Sequence, residues 1–205
     1  MIHRFASAIV VFAFFGVAAL AGTKREVIIA GQPFPDTLVL LVDTSGSMGC
    51  YDRKPYKRAM REVGLIARQM TDAGKIRFYV FDDVLTEEPH GWIVLPDAEK
   101  VEAALLWLRA RKCDGGTNLA DAMDVVLALP ESPLGVIVVT DCQPDGGTDS
   151  TAEEIAVANR KRKTPAIIGV TAIGPDEKGN RFGILVAEWS GGAYVRIVES
   201  GGKLK

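Results

Sequence analysis

The sequence predicts an α/β domain: a mainly parallel sheet covered by helices on both faces. Three observations carry this expectation. Short apolar, β-branched runs recur along the chain at Leu38–Val42, Ile76–Phe81, Val136–Thr140 and Ala166–Val170. The longer segments between them return apolar residues at helical spacing. Most of the strand-like runs are apolar at nearly every position, which suits strands buried on both faces, as in parallel sheets.

The elements follow in order. Val27–Ala30 is a possible short strand, with Pro33 and Pro35 marking a turn. The Leu38–Val42 strand leads to a helix over about 55–70, with Ala59, Val63, Ile66, Ala67 and Met70 on one face and Pro55 in its first turn. After the Ile76–Phe81 strand, Trp92–Leu95 has the character of a short edge strand, bounded by Gly91 and Pro96. Asp97 can cap a helix carrying Val101, Ala104, Leu105 and Leu108. The loop from Cys113 to Asn118 opens a helix bearing Leu119, Met123, Val126 and Leu127. Beyond the Val136–Thr140 strand, Ser150-x-x-Glu153 is a capping-box pattern for a helix running to about Lys163. Its Arg160–Lys163 run is expected to complement that helix's dipole. A last helix over 182–189, stopped by Gly191-Gly192, and a last strand over 193–198 complete the pattern.

A chain of 205 residues, 48% hydrophobic and 24% charged, accommodates one domain with a proper core. A net charge of −2 implies no bulk attraction to nucleic acid or an anionic membrane. The N-terminus departs from this picture. Arg4 precedes a nearly continuous apolar stretch from Phe5 to Ala21, ending in Ala19-Leu20-Ala21. That is the pattern of a secretory signal peptide over residues 1–21, and it predicts a secreted or periplasmic product beginning at Gly22. The stretch is at the short limit for a spanning helix. Retention of residues 5–21 as a membrane anchor is the alternative. A lead-in over 22–36 and one domain over 37–205 make up the rest.

The chemistry concentrates where strands end. The run Leu38–Val42 stops abruptly at Asp43-Thr44-Ser45-Gly46-Ser47. One carboxylate and two hydroxyls at alternate positions form the oxygen-only set that a hard divalent cation prefers. Gly115-Gly116-Thr117-Asn118 lies in a loop before a helix, and the Val136–Thr140 strand ends at Asp141. Ligands in open α/β sheets bind at this edge.

Asp43-x-Ser45-x-Ser47, a later loop threonine and a later strand-end aspartate together resemble the von Willebrand factor A (VWA) domain, over roughly residues 36 to 198. The resemblance implies a Rossmann-like, doubly wound, mainly parallel sheet with one antiparallel edge strand, the place Trp92–Leu95 would take. It also implies a metal-ion-dependent adhesion site. There Ser45 and Ser47 would bind Mg2+ directly, with Mn2+ or Ca2+ as alternatives. Thr117 would bind directly or through water, and Asp43 and Asp141 mostly through water or hydrogen bonds. A protein partner would present an acidic residue to complete the coordination. The expected function is therefore metal-dependent protein–protein interaction or adhesion by an exported protein, without catalysis. Tyr51, Arg53, Asn118 and Gln143 are the loop residues expected to choose the partner. Asp52, Asp82, Asp83, Asp114 and Asp145 read as loop or capping acids, with Asp114 the best placed to support the site.

Other readings are weaker. A magnesium-dependent phosphotransferase or hydrolase of the haloacid dehalogenase type needs a second acid where this chain has Ser45, which cannot transfer protons at ordinary pH. After signal removal the one histidine is His90, between Pro89 and Gly91, a poor place for a catalytic base. Gly46-Ser47-Met48-Gly49 lacks the Gly-Lys-Ser/Thr of a phosphate loop. Related folds occur in RNA-associated ring proteins, but this chain has no basic stripe with an aromatic platform, so nucleic acid is not expected. A membrane-tethered envelope assembly factor, using the domain without metal, is the remaining alternative. Cys50, Cys113 and Cys142 all flank the site loops; in an exported protein one pair can be bridged, Cys50–Cys113 being the first guess, with three unpaired cysteines filling small spaces as the alternative.

Overall fold

The computed structural model describes residues 26–70 and 74–197. The N-terminal apolar segment and the end of the last expected strand lie outside these residues. A β-hairpin, β1 (Glu26–Ile29) and β2 (Gln32–Pro35), precedes the main sheet. Its turn falls at Ala30 and Gly31, which take φ of 50° and 78°. The two prolines therefore belong to β2 rather than to the turn. A two-stranded ribbon tolerates them because a free edge needs no N–H donor.

The main sheet is built from β3 (Thr37–Asp43), β4 (Lys75–Phe81), β7 (Gly135–Thr140), β8 (Ile167–Ile173) and β9 (Tyr194–Ile197), in the order β4-β3-β7-β8-β9, all parallel. Two short pieces share the outer edge of β4. These are β5 (Leu85–Glu87) and β6 (Ile93–Val94), both antiparallel to it. The expected antiparallel edge is therefore present but split, and β5 is too short and too polar to show as a strand in the sequence.

Side chains on a strand alternate between faces. Leu38, Leu40 and Val42 of β3 face a core shared with α1 (Cys50–Gln69) and α2 (Ala98–Arg109). Val39 and Leu41 face a second core under α3 (Leu119–Leu127), α4 (Thr148–Arg160) and α5 (Glu177–Ser190). Burial on both sides is why the run is apolar at every position. Each side chain so buried contributes about 1.5–3 kcal/mol.

The helix ends show local chemistry at work. Asp97, Asn118 and Asp176 cap α2, α3 and α5, each accepting from a backbone N–H three residues on. α5 starts earlier than its apolar periodicity indicates because Asp176 sets its beginning, and left-handed Gly191 ends it. The capping box expected at Ser150 is not formed. α4 begins at Thr148, so Ser150 lies inside its first turn and donates back to the carbonyls of Gly146 and Gly147. α4 also stops at Arg160, short of the basic run's end. Arg162 turns away and donates to the carbonyls of Leu127, Leu129 and Glu131, the last two at 2.9 and 2.6 Å. The cation serves the end of α3 rather than of its own helix.

Asn159 closes the same region. Its amide donates to the Ala166 carbonyl at 2.9 Å and its Oδ1 accepts from the Ala166 N–H at 2.7 Å, both buried. Asn159→Ala strands both backbone groups, and we expect a loss of about 2–4 kcal/mol, read by urea denaturation.

Candidate metal centre

β3 sits where the sheet changes direction: the chain leaves it for β4 on one side and later returns to β7 on the other. The C-terminal ends of β3 and β7 flank this switch point, where open α/β sheets form their ligand crevice. Asp43 ends β3 and Asp141 directly follows β7.

Asp43 is fully buried. Its Oδ1 accepts from the Ser45 N–H at 2.8 Å, and its Oδ2 accepts from the Thr140 hydroxyl at 2.5 Å. Burial pushes its pKa up to about 6. Hydrogen bonds from Ser45 and Thr140 oppose the rise, and the nearby Asp141 carboxylate adds to it. Asp141 is raised in the same way, mainly by burial, against hydrogen bonds from the Ser47 side chain and the Gln143 N–H. The hydroxyls of Ser45 and Ser47 lie 3.1 Å apart. Asp43, Ser45, Ser47 and Asp141 are thus brought together at this edge.

Thr117 joins them through its loop. The Gly46 N–H donates to the Gly115 carbonyl at 3.1 Å, and the Asp114 N–H to the Thr44 carbonyl at 3.0 Å. The Asp145 N–H donates to the Thr117 carbonyl at 3.2 Å, tying in the loop after β7. Two carboxylates clamp this turn from outside. Asp83 accepts from the Gly116 N–H at 3.0 Å and Asp145 from the Thr117 N–H at 2.6 Å. Asp114 contributes its backbone to the loop. The carboxylates that hold the loop are those of Asp83 and Asp145, which sequence reasoning placed among ordinary loop acids. Thr140 was also missed as a site residue. Its only signal is a hydroxyl ending an aliphatic strand just before Asp141.

The donor set fits a hard divalent cation. Two ionisable carboxylates are held in low dielectric with like-charge repulsion between them, and a dication relieves both penalties. Hydroxyls that donate protons to carboxylates keep their lone pairs for a cation. Among the described residues no group of three or more His, Cys, Asp or Glu is placed to hold a metal. The residues that would hold it are Ser45, Ser47 and Thr117, backed by Asp43 and Asp141.

The surrounding residues divide. Tyr51 is 83% exposed, and Gln143 is exposed as well. Arg53 is instead bonded to the Arg111 carbonyl at 2.5 Å and stacked over Tyr56, and Asn118 is the α3 cap. Tyr51, Asp52 and Arg53 all have left-handed backbone, so regular helix starts just ahead of Pro55. All three cysteines are free thiols, and the expected Cys50–Cys113 bridge is not formed. Cys50 Sγ lies 3.7 Å from the Gly46 carbonyl, while Cys113 packs under Gly49. Burial pushes the thiols of Cys113 and Cys142 up, which disfavours the thiolates a soft metal needs. His90 pairs through Nδ1 with the buried Glu88 at 2.6 Å.

A Cβ on Gly116 would sit 2.3 Å from Asp145 Oδ2 and 2.7 Å from Asp83 Oδ1. Gly116→Ala is therefore expected to destabilise the fold by about 1–3 kcal/mol. It should also shift the Thr117 amide resonance while leaving those of α4 in place, as read by 1H–15N correlation spectra.

Comparison with known proteins matches the fold. The model of the von Willebrand factor type A domain family matches residues 36–195. No curated protein matches the chain by sequence. Among solved structures, the chain is similar to a von Willebrand factor type A protein from Catenulispora acidiphila. The TM-score is 0.64 and the identity 15%, covering 82% of this chain and 39% of that one. It is similar to an aerotolerance-related membrane protein from Bacteroides fragilis, with TM-score 0.59 and 17% identity over 80% of this chain and 92% of that one. It is also similar to the conserved hypothetical protein BatB from Bacteroides thetaiotaomicron, with TM-score 0.56 and 19% identity over 80% and 91% of the two chains. At these identities the likeness is one of fold. With the family model spanning most of its length, this chain belongs to the von Willebrand factor type A domain family.

Proposed function

We propose that this is an exported VWA protein that binds a protein partner through a divalent cation, Mg2+ in the first instance, and performs no catalysis at this site. The observation that carries the reading is the pair of hydroxyls, Ser45 and Ser47, held together between two buried carboxylates at the sheet's switch point. Bound there, a divalent cation would supply an under-neutralised open position that attracts an acidic side chain of the partner. Asp43 orients the Ser45 loop through its bond to the Ser45 N–H. Asp141 does the same for Ser47. The clamped Gly115–Thr117 turn sets where the Thr117 hydroxyl can reach. Exposed Tyr51 and Gln143 are positioned to contact the partner around the carboxylate.

Enzymatic alternatives find little support. The position two residues after Asp43, where a phosphotransferase needs a general acid, holds Ser45, bonded back to that carboxylate. Export rests on the pattern of residues 1–21. The membrane-protein description of the Bacteroides fragilis neighbour supports a tethered variant in which residues 5–21 are kept. N-terminal sequencing of the protein recovered from fractionated cells separates the two: Gly22 as first residue supports cleavage, and an intact N-terminus in the membrane fraction supports the tether.

Calorimetric titration of the chelator-treated chain with Mg2+ and with Mn2+ tests the metal. Saturable one-site binding that Asp43→Asn abolishes is expected, and equal binding by the variant would reject the site. The metal-free chain supplies a second check. Because the folded-state pKa of Asp43 is raised to about 6, the fold holds this proton more tightly than the unfolded chain does. Stability should fall as pH rises from about 4 through about 6, on the order of 2–3 kcal/mol, and then level off. Asp43→Asn should lose that fall, as read by thermal melts in chelator across the range.

A further inference from the structure

Helix α1 carries Arg53, Lys54, Lys57, Arg58, Arg61 and Arg68 against only Asp52 and Glu62, in a chain whose net charge is −2. Much of this excess converges on one feature. A groove of about 570 Å3 runs along α1 toward the end of α2, rimmed by Arg53, Lys57, Arg61, Arg68 and, from α2, Arg109. Between these cations lie Met60, Gly64 and Leu65, the last 54% exposed. Lys57 pairs with Asp52 at 2.8 Å and Arg68 with Glu102 at 3.1 Å, both in solvent. Among the described residues no carboxylate pairs with Arg61 or Arg109, and both are exposed.

Gly64 adds an independent observation. A glycine inside a helix costs about 1 kcal/mol relative to alanine. Elsewhere in this molecule such a cost has an internal reason: a Cβ on Gly183 in α5 would lie 2.4 Å from the Tyr194 ring. At Gly64 a Cβ would meet only Arg68 Nη1, at an ordinary 3.5 Å. The domain's own packing does not require glycine there, and its effect is to keep the middle of the groove open.

We propose that this groove docks an acidic amphipathic segment of a protein partner. Its carboxylates would face Arg61 and Arg109, and an apolar side chain would lie over Gly64 between Met60 and Leu65. The chemistry disfavours the other polyanions. A nucleic acid would want an exposed ring for stacking. The one aromatic residue in the groove, Tyr56, is 1% exposed, and its hydroxyl donates to the Leu108 carbonyl at 2.6 Å. A flat bilayer meets the rim cations but does not reach the recessed Met60 and Gly64. The proposed contacts, Met60, Arg61, Gly64, Leu65 and Arg109, lie outside the loops after β3 and β7, so the docking does not rest on the metal site.

The test is fluorescence anisotropy on the full chain in EDTA. The probe is a labelled synthetic peptide with glutamates flanking a leucine stripe at helical spacing. Its scrambled sequence and polyglutamate are the controls. Saturable binding by the ordered peptide alone is expected, weakening with salt. It should fall at least about tenfold in Arg61→Glu/Arg109→Glu. Gly64→Ala should weaken binding while raising the melting temperature, which separates the groove's role from damage to the fold. Equal binding of scrambled peptide or polyglutamate, loss of binding in EDTA, or binding unchanged in the double variant would overturn the proposal. So would no peptide binding, whether or not the chain sediments with phosphatidylglycerol vesicles.

Discussion

The site depends on one costly group: a carboxylate placed at the end of the central strand, out of water. Asp43 is held there by an N–H from its own loop and a hydroxyl from the neighbouring strand. The second bond ties β3 to β7 across the point where the sheet changes direction. It therefore fixes the two strand ends whose loops carry Ser45, Ser47 and Asp141. Placing a carboxylate in such a position works against stability.

The loops that surround Asp43 are held by backbone rather than by a core. Gly46 to Gly115, Asp114 to Thr44 and Asp145 to Thr117 are main-chain hydrogen bonds between loops far apart in sequence. Asp83 and Asp145 then accept from consecutive N–H groups of the Gly115–Thr117 turn, close enough that only a glycine fits at position 116. The acid-rich edge thus has two layers. Asp43 and Asp141 orient hydroxyls, and Asp83 and Asp145 orient the turn that brings Thr117 to them.

Helix α1 links this edge to the basic groove. Its first residues make a left-handed turn beside the site, a conformation that costs about 1–2 kcal/mol per residue for side chains other than glycine. Arg53 compensates by bonding the Arg111 carbonyl and stacking on Tyr56, while Tyr51 is left in solvent. The inner face of the helix packs on the sheet through Ala59, Val63 and Ile66. Its outer face carries the cations. One element therefore presents a chemically different surface to each neighbour.

The apolar runs and helical periodicities determined the α/β class and the order of nearly every element. Burial on both faces forces an unbroken apolar run, and the run's end marks where the chain returns to water. That logic is local, and it puts Asp43 and Asp141 at strand ends, with Ser45 and Ser47 just beyond; Thr117 entered the candidate site through the family resemblance. It did not place Thr140, Asp83 or Asp145, because a threonine at a strand end or an aspartate in a loop has many uses. Only the folded chain shows which N–H or carboxylate it meets. The same holds for Arg162, whose charge suits a helix end but whose partners belong to another helix. It holds also for Ser150, whose capping pattern lost to the actual start of α4. The free cysteines and the groove of α1 are likewise tertiary facts. Sequence spacing determines what a residue can do along its own element, and the packing of distant elements decides what it does.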